Sequence, residues 1–405
     1  MISKNNISKN FLSLNKKKIL SNDFERIFPE IKKDINNPNK TLHVLSKNFS
    51  LNLNKKDLKK FKKFNSIAII GMGGSILGTE AIYNFLEKKI KKKIYFFDDL
   101  NTKKILDFKN KKYLKKTLIF IISKSGNTIE TLSNAFVLNI IKKNSKNLII
   151  ISEGKNNFLF KISKKLQLFY IEHKNYIGGR YSVLSEVSMI PAYLMGLSVL
   201  KLRSKTLNFL NGRKKVILKN SSIELANLLD SKKIRSLIFL NYLPELESFL
   251  FWCQQLIAES LGKQNKGFLP VISNVPKDHH SLLQLYLDGP KDKLFYIFSY
   301  DEKLKEKIII NKESKGENYL NKKKLSDIKN AQKNALIKVL KSKKIPFREF
   351  KINKKNEQTL SELFSYFMLE TTIIGKLSKI DPFNQPAVES VKIITKKLLT
   401  RKNQK

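Results

Sequence analysis

The sequence predicts an α/β protein with two domains, each built around a mainly parallel sheet. Short apolar runs without polar alternation, such as 117–122, are separated by stretches of helical periodicity, which is typical of parallel strands buried on both faces. The alternating pattern runs a second time after a lysine-rich connector at about 201–235. A length of 405 residues suits two or three domains. We therefore expect domains at 1–205 and 206–405, with flanking helices at both ends.

In the first half of the chain, the pattern sharpens after a lysine- and asparagine-rich segment. Residues 1–64 carry only scattered apolar positions, and we expect peripheral helices there. Strands are then predicted where short apolar runs occur, and helices where apolar positions recur every three or four residues. The predicted strands are 66–70, 93–97, 117–122 and 147–152, and the predicted helices are 77–86 and 130–143.

The second half repeats the alternation of strands and helices. Pro244 precedes an apolar helical stretch, which fits its preference for the first turn of a helix. The predicted strands are 237–240, 268–272 and 293–298, and the predicted helices are 245–261, 327–342, 362–376 and 385–399.

The charge of the chain is strongly positive but is spread along its whole length. The formal net charge is +45, and all but seven of the 79 basic residues are lysines in short runs. Lysine runs of this kind are typical of solvated faces, and proteins that bind nucleic acids specifically depend more on arginine. No zinc-finger or RNP-type motif accompanies the charge. We expect no nucleic-acid partner; the rival hypothesis predicts tight, salt-dependent binding to duplex DNA.

The residues available for metal binding, disulfides or membrane insertion are few. One cysteine, Cys253, and four histidines exclude a disulfide framework and a Cys-based zinc site, and we expect no metal. The longest uncharged stretches, 64–79 and 187–200, are shorter than the roughly 18 residues that span a bilayer. The N-terminal residues lack the apolar core of a signal peptide. These features predict a cytoplasmic protein without a membrane partner.

A glycine-rich turn, GMGGSILGTE over 71–80, follows the first predicted strand. Such a turn lets backbone N–H groups at the start of a helix approach an anion. Two phosphate motifs almost fit: the dinucleotide fingerprint would need glycine at Ile76, and the Walker loop would need lysine at Thr79. Asp98 and Asp99 therefore do not indicate a ribose site. By itself the turn predicts either a nearby ligand or a purely structural turn.

A second polar loop, SKSGNT over 123–128, follows the third predicted strand. Because the carboxyl ends of parallel strands lie at one edge of the sheet, both loops face the same crevice. Hydroxyls, backbone amides and the Lys124 ammonium can together hold a phosphate. The alternative is a Ser/Thr cluster that caps the following helix. The convergence of the two loops favours a phosphate-bearing ligand.

Six segments form a recognisable set: GMGGSILG (71–78), SKSGNTIET (123–131), GGRYSVLSEV (178–187), WCQQLIAESLGK (252–263), DHHSLLQLYLDGP (278–290) and DPFNQPAVESVK (381–392). Taken together, they resemble the glucose-6-phosphate isomerase family in its short bacterial form. They occur in the family's order and span most of the chain between residues 65 and 395, whereas the first 60 residues carry no motif. The resemblance implies two α/β/α sandwich domains of the sugar-isomerase (SIS) type.

The resemblance also implies which residues carry out the chemistry. Glu259 would be the base that moves a proton between C2 and C1, with its pKa tuned by burial. Arg180, which follows two glycines, would stabilise the enediolate oxygens. Lys392 would assist ring opening or hold the open chain. No metal or redox cofactor is needed for these steps.

Ring opening is assigned to a histidine by the same comparison. Of the pair His279-His280, the second is in register, because Gln284 and Gly289 then match the family motif. In the family this histidine comes from the partner subunit. The resemblance therefore implies that His280 acts across the interface of a homodimer.

The remaining site residues are assigned to binding. Gln255, Glu259 and Lys263 would share one face of the helix predicted at 245–261. Gln385 and Lys392 would share a face with Glu389. The substrate-binding residues that the resemblance implies are Gly74, Ser75, Ser123, Lys124, Ser125, Thr128, Gln255 and Gln385.

Three positions depart from the family pattern. Asn384 stands where Asp is usual, Ala387 where Gly is usual, and Asn127 where Thr is frequent. The first two remove no reacting group, and the third leaves substrate selectivity open. Trp252 and Cys253 are interpreted as core residues of the helix that carries Glu259, since the cysteine has no paired histidine.

The expected activity is the reversible isomerisation of glucose 6-phosphate and fructose 6-phosphate through a 1,2-enediol(ate). One alternative is a dual-specificity phosphoglucose/phosphomannose isomerase, because the enediol can be reprotonated on either face of C2. Another is a non-catalytic sugar-phosphate sensor. A sensor would need none of the proton-transfer residues.

Overall fold

The computed structural model describes residues 2–7, 11–51, 55–110, 114–302, 306–310 and 319–401. Two five-stranded sheets organise the chain, in the strand orders β3-β2-β4-β5-β6 and β1-β10-β9-β7-β8. The strands are β1 (Ile2–Asn6), β2 (Ser66–Ile70), β3 (Lys93–Phe97), β4 (Thr117–Ile122), β5 (Leu148–Ser152), β6 (Phe169–Glu172), β7 (Ser236–Asn241), β8 (Leu269–Asn274), β9 (Lys293–Tyr300) and β10 (Phe347–Ile352). The α/β class with two mainly parallel sheets is confirmed.

All neighbouring strands of the first sheet are parallel. Every residue of its central strand β4 is buried, as its uninterrupted apolar sequence predicts. The second sheet is parallel except for the edge strand β1, which pairs antiparallel to β10 in the register Ser3 to Phe350. The N-terminal strand therefore completes the sheet that is formed by the second half of the chain.

Helices cover the two sheets and join them. They are α1 (Leu14–Asn36), α2 (Lys55–Lys59), α3 (Leu77–Leu86), α4 (Thr102–Lys109), α5 (Ile129–Val137), α6 (Phe158–Lys165), α7 (Glu186–Leu194), α8 (Val199–Arg203), α9 (Gly212–Ser231), α10 (Glu247–Leu261), α11 (Leu283–Asp288), α12 (Leu325–Ser342), α13 (Glu357–Leu377) and α14 (Glu389–Arg401). No helix in the described ranges is both long and apolar enough to cross a membrane.

The contact between α3 and α10 connects the two sheets. Helix α3 follows the glycine-rich turn of the first sheet, and α10 follows β7 of the second. Helix α13 also packs on α10, and the ring of Phe364 meets that of Trp252 edge to face at 4.9 Å. One continuous hydrophobic core thus includes residues of both sheets and of these helices. The predicted division at residue 205 stays a prediction.

Three predictions about the elements need correction. The helices expected in residues 1–64 include α1, but this helix is not peripheral, because its Phe24 and Ile31 are fully buried against α9 and α13. The expected connector contains the 20-residue helix α9. The helix predicted at 130–143 ends at Val137, after which Asn139 takes a positive φ of 51°. In each case lysine and asparagine residues interrupt the apolar pattern, so that the buried face of a helix or the end of a helix is not evident from the sequence.

A buried ion pair anchors the second sheet to the helices behind it. Arg348 on β10 is fully buried, and its guanidinium donates to Glu370 on α13 at 2.9 Å and to the Ser221 hydroxyl on α9 at 2.7 Å. Its second terminal nitrogen donates to the backbone carbonyl of Ser221 at 2.8 Å. Arg348 therefore connects a strand to two helices through charge-assisted hydrogen bonds.

We expect Glu370→Ala to lower the free energy of unfolding by about 3–5 kcal/mol, because it leaves the Arg348 guanidinium buried without this carboxylate. Urea denaturation followed by circular dichroism measures the change. Glu349→Ala on the same strand is the matched control, since Glu349 is only half-buried. Equal losses for the two variants would contradict the role of the buried pair.

Candidate active site

A cavity of about 310 Å³ lies at the carboxyl edge of the first sheet. Loops after β2, β4 and β5 form one side, and α10, the turn at 179–184 and the segment before α14 form the other. Ten of the twelve predicted site residues line it; Ser123 and His280 do not. The lining consists of Met72, Gly74, Ser75, Lys124, Ser125, Thr128, Glu153, Gly179, Arg180, Gln255, Glu259, Gln385 and Lys392.

Two glycines allow the loop after β2 to pack closely against α10 and the turn that carries Arg180. Gly73 has a φ of +51°, and a Cβ added there would lie 2.7 Å from the Nε2 of Gln255. A Cβ on Gly74 would lie 2.2 Å from the carbonyl carbon of Gly179. Any side chain at these positions would push the loop away from α10 and from the Arg180 turn. The glycines are therefore required for close approach of backbone segments around the cavity.

The loop after β4 is held by an internal hydroxyl pair. The hydroxyls of Ser123 and Thr128 lie 2.8 Å apart, and Ser123 is buried beneath the cavity lining. Thr128 precedes α5 but its side chain makes no capping hydrogen bond. The capping interpretation of this cluster therefore does not apply to Thr128. The side-chain oxygen of Asn127 accepts from the backbone N–H of Phe158 at 3.0 Å, and Asn127 does not line the cavity.

Lys124 faces a carboxylate that the sequence analysis missed. Its ammonium lies 3.5 Å from the Glu153 carboxylate, which follows β5, the strand next to β4. Burial lowers the pKa of Lys124, and the charge of Glu153 opposes that shift. The same rule that identified the two polar loops, a polar residue after a parallel strand, also applies to Glu153.

A neutral imidazole lies behind this pair. His173 is buried, and burial together with the positive charge of Lys124 lowers its pKa to about 4. At neutral pH the ring adds no charge to the site. The ion pair of Lys124 and Glu153 therefore stands beside a neutral ring.

Arg180 is the most highly coordinated side chain of the site. It is 3% exposed. Its Nε donates to the Ser260 hydroxyl at 2.8 Å, and one terminal nitrogen donates to Glu259 at 3.2 Å and to Gln385 at 3.1 Å. The other donates to the backbone carbonyls of Pro382 at 2.6 Å and Asn384 at 3.0 Å. All five N–H groups of the guanidinium therefore have an acceptor.

Glu259 is oriented by two donors from different sides. Arg180 donates to its Oε2, and Gln255, one turn earlier on α10, donates to its Oε1 at 2.9 Å. The Glu259 side chain is 30% exposed and lies in the cavity wall. Lys263 does not share this face as predicted, because α10 ends at Leu261 and the Lys263 ammonium donates to the carbonyl of Asp381. The arrangement presents one fixed carboxylate beside one fixed guanidinium.

The C-terminal segment contributes two residues in a different way from the prediction. Helix α14 begins at Glu389, so Gln385 precedes it and reaches the cavity from an extended segment. Lys392 lies on α14, and its ammonium is 2.7 Å from the Glu389 carboxylate, with both side chains about 60% exposed. Asn384 contributes its backbone carbonyl to Arg180, which asparagine and aspartate supply equally.

The two histidines of the 278–290 segment are not part of this cavity. The Nε2 of His279 lies 3.1 Å from the Tyr242 hydroxyl, and burial lowers its pKa. His280 is exposed on the turn Lys277–His280. Cys253 and Trp252 are buried on α10, which confirms their interpretation as core residues. Within the described residues, no group of three or more His, Cys, Asp or Glu side chains could hold a metal ion.

The fold and the cavity define an α/β protein with a polar, charged ligand site at the carboxyl edge of a parallel sheet. Residues 29–405 match the phosphoglucose isomerase family. A probable glucose-6-phosphate isomerase of Methanococcus maripaludis is 33% identical, over 98% of this chain and 89% of its own length. The glucose-6-phosphate isomerase of Methanocaldococcus jannaschii is 34% identical, over 85% of this chain and 87% of its own length.

The chain belongs to the phosphoglucose isomerase family. Solved structures agree in fold: a hypothetical protein of Thermus thermophilus superposes with a TM-score of 0.80 at 22% identity, covering 98% of this chain and 100% of its own. A glucose-6-phosphate isomerase of Chlamydia trachomatis has a TM-score of 0.71 at 17% identity, covering 86% of this chain and 72% of its own.

We expect Glu153→Gln to change anion binding in a pH-dependent way. Near pH 7 the variant should bind inorganic phosphate a few-fold more tightly, because one negative charge leaves the cavity. At alkaline pH its affinity should fall earlier than that of the wild type, because losing Glu153 lowers the pKa of Lys124 further. Calorimetric titration with phosphate between about pH 7 and 10 measures both effects.

Glu172→Gln is the control for this experiment, because Glu172 ends the neighbouring strand β6 but does not line the cavity. A Glu172→Gln profile that moves as far as that of Glu153→Gln would contradict a specific effect on Lys124.

Proposed function

We propose that this chain catalyses the reversible isomerisation of glucose 6-phosphate and fructose 6-phosphate, and that the cavity at the first sheet is its active site. The observation that carries the proposal is the fixed Arg180–Glu259 pair facing the Ser75 and Lys124 loops in one cavity. A base and an oxyanion partner beside an anion-binding edge are what proton transfer on a phosphorylated sugar requires.

The phosphate is held by the two loops at the sheet edge. Ser75, Ser125 and Thr128 offer hydroxyls, Lys124 offers a cation, and Gly74 brings the backbone close. Helices α3 and α5 begin directly after these loops, so their N-terminal dipoles favour an anion there. Ser123 acts indirectly, because its hydroxyl fixes that of Thr128.

Proton transfer is assigned to Glu259. In the open-chain aldose its carboxylate takes the proton from C2, and the C–H electron pair becomes the C1–C2 double bond of the enediolate. The charge that develops on the C1 oxygen is stabilised by the positive charge of the Arg180 guanidinium, whose N–H groups already have acceptors within the protein. The proton of the C2 hydroxyl passes to the C1 oxygen, and return of the abstracted proton from Glu259 to C1 gives the ketose with its carbonyl at C2. These proton transfers consume no metal, redox cofactor or other co-reactant.

The sugar hydroxyls have amide partners on both sides of the base. The Oε1 of Gln255 is buried and has no hydrogen-bond partner among the described residues, which leaves an acceptor for a ligand hydroxyl. Gln385 reaches the cavity opposite and is oriented by Arg180. Lys392 is assigned to ring opening or to holding the open chain, because it lines the cavity at its exposed rim.

A homodimer would complete the site with His280. Two observations support this proposal: His280 is exposed and outside its own chain's cavity, and α14 carries an uncovered apolar stripe beside Lys392. On this stripe Val391 is 67% exposed, Ile394 56% and Leu398 58%. A second copy that covers the stripe would remove this apolar area from water. We propose that the enzyme acts in the cytoplasm on phosphorylated sugars.

Glu259→Gln should reduce kcat by about a hundredfold or more, because it keeps the shape of the side chain but removes the base. Glu247→Gln, on the same helix but bonded to Asn274, serves as the control and should stay near wild-type activity. A coupled assay with glucose 6-phosphate, and separately with mannose 6-phosphate, measures both variants and the selectivity at C2. Turnover of Glu259→Gln within roughly tenfold of wild type would refute the assignment.

His280→Ala should slow turnover of ring-closed substrate far more than that of open-chain substrate. Mixing His280→Ala and Glu259→Gln subunits by co-expression should restore activity. Each mixed dimer regains one site that has both groups, so about a quarter of wild-type activity is expected for random pairing in a twofold dimer. Purified mixed dimers that stay as inactive as their parents would show that His280 does not act across an interface.

A further inference from the structure

A second cavity, of about 630 Å³, lies at the opposite edge of the first sheet, where its strands begin. Five lysines line it: Lys63, Lys91, Lys93, Lys115 and Lys116. No carboxylate is among the lining residues. The volume lies in the range of sites that hold cofactor-sized ligands.

The topology explains why these lysines converge. Lysines at 62–63, 91–93 and 115–116 stand immediately before, or at the start of, β2, β3 and β4. The three strands are parallel and adjacent, in the order β3-β2-β4, and Ser66 pairs in register with both Lys93 and Thr117. Neighbouring strands lie about 4.8 Å apart, so the three lysine runs meet at one edge.

The charges at this edge repel one another. Lys92, which adjoins the cavity in sequence, has its pKa lowered by burial and by the charge of Lys62. The corresponding edge of the second sheet is different, because there Lys266 pairs with Asp230 at 2.9 Å and Lys293 with Asp292 at 2.7 Å. A bound polyanion would supply at the first sheet the neutralisation that carboxylates supply at the second.

We propose that this cavity, which we call the lysine cavity, binds a polyphosphate anion such as a nucleoside triphosphate or inorganic triphosphate. The lysine ammonium groups would act as point charges that bind the phosphate chain. Tyr95, which also lines the cavity and is half-buried, provides aromatic surface for a base or another flat group. The site is separate from the substrate cavity, which lies at the other end of the same strands.

The test is calorimetric titration of the full chain with inorganic triphosphate. The variant Lys91→Glu/Lys116→Glu should weaken binding at least tenfold, and its circular dichroism and isomerase activity should match the wild type. The control is Lys338→Glu/Lys341→Glu on α12, which changes net charge equally at two lysines outside the cavity. Triphosphate should also raise the melting temperature of the wild type and the control but not that of the lysine-cavity variant.

A third variant, Lys124→Ala, separates this cavity from the substrate site. Retained triphosphate binding in Lys124→Ala supports the proposal, whereas loss in that variant alone places the anion in the substrate cavity and overturns it. If the two double variants lose triphosphate affinity equally, the effect is one of net charge alone and the proposal is overturned. The proposal is also overturned if the wild type does not bind triphosphate.

A parallel titration with ATP identifies the form of the ligand. Tighter binding of ATP than of triphosphate supports a nucleotide with its base on Tyr95. Equal affinities support the phosphate chain as the whole recognition element.

Discussion

The site depends on the hydrogen bonds that the buried guanidinium of Arg180 makes. Removing such a charge from water is costly unless every donor finds an acceptor, and here all five do. The acceptors come from α10 and from the segment 382–385, so one side chain joins two parts of the chain to its own turn. The backbone carbonyl of Arg180 also accepts from the Trp252 indole at 3.1 Å. Arg180 is thus fixed by both its side chain and its backbone.

The three cations around the cavity are each paired with a carboxylate before any ligand arrives. Lys124 faces Glu153, Arg180 faces Glu259, and Lys392 faces Glu389. The pairs differ in burial: Arg180 is enclosed, whereas Lys392 and Glu389 are exposed and contribute little to stability. A chain of net charge +45 therefore has a locally balanced site. Its excess positive charge lies elsewhere and acts through the long-range field that attracts anionic substrates.

Sequence reasoning predicted the parts of the molecule whose pattern is local. The apolar strands β2 and β4 and the glycines beside them are evident because burial on both faces leaves no alternation. Strand β10, with the sequence FREFKI, was missed because its charged Arg348 is buried through partners on α9 and α13. Helix α9 was missed because its buried side includes Ser221, Ser222 and Asn227. Strand β10 and helix α9 depend on partners that are distant in the sequence, and the local sequence of either segment does not show those partners.

The same dependence on long-range contacts explains which residues of the site could be predicted from the sequence. Lys392 could be chosen among 72 lysines only through the family motif, whereas Glu153 follows a predicted strand and its place beside Lys124 needs the strand order. No motif gives the distance between Glu259 and the two polar loops after β2 and β4. That distance is fixed because α10 packs on α3 and the Gln255 Nε2 lies only 2.7 Å from where a Cβ of Gly73 would be. Helix α10 thus packs directly on the glycine-rich turn. This contact sets the distance between Glu259 and the two polar loops, and it therefore favours a ligand of one length.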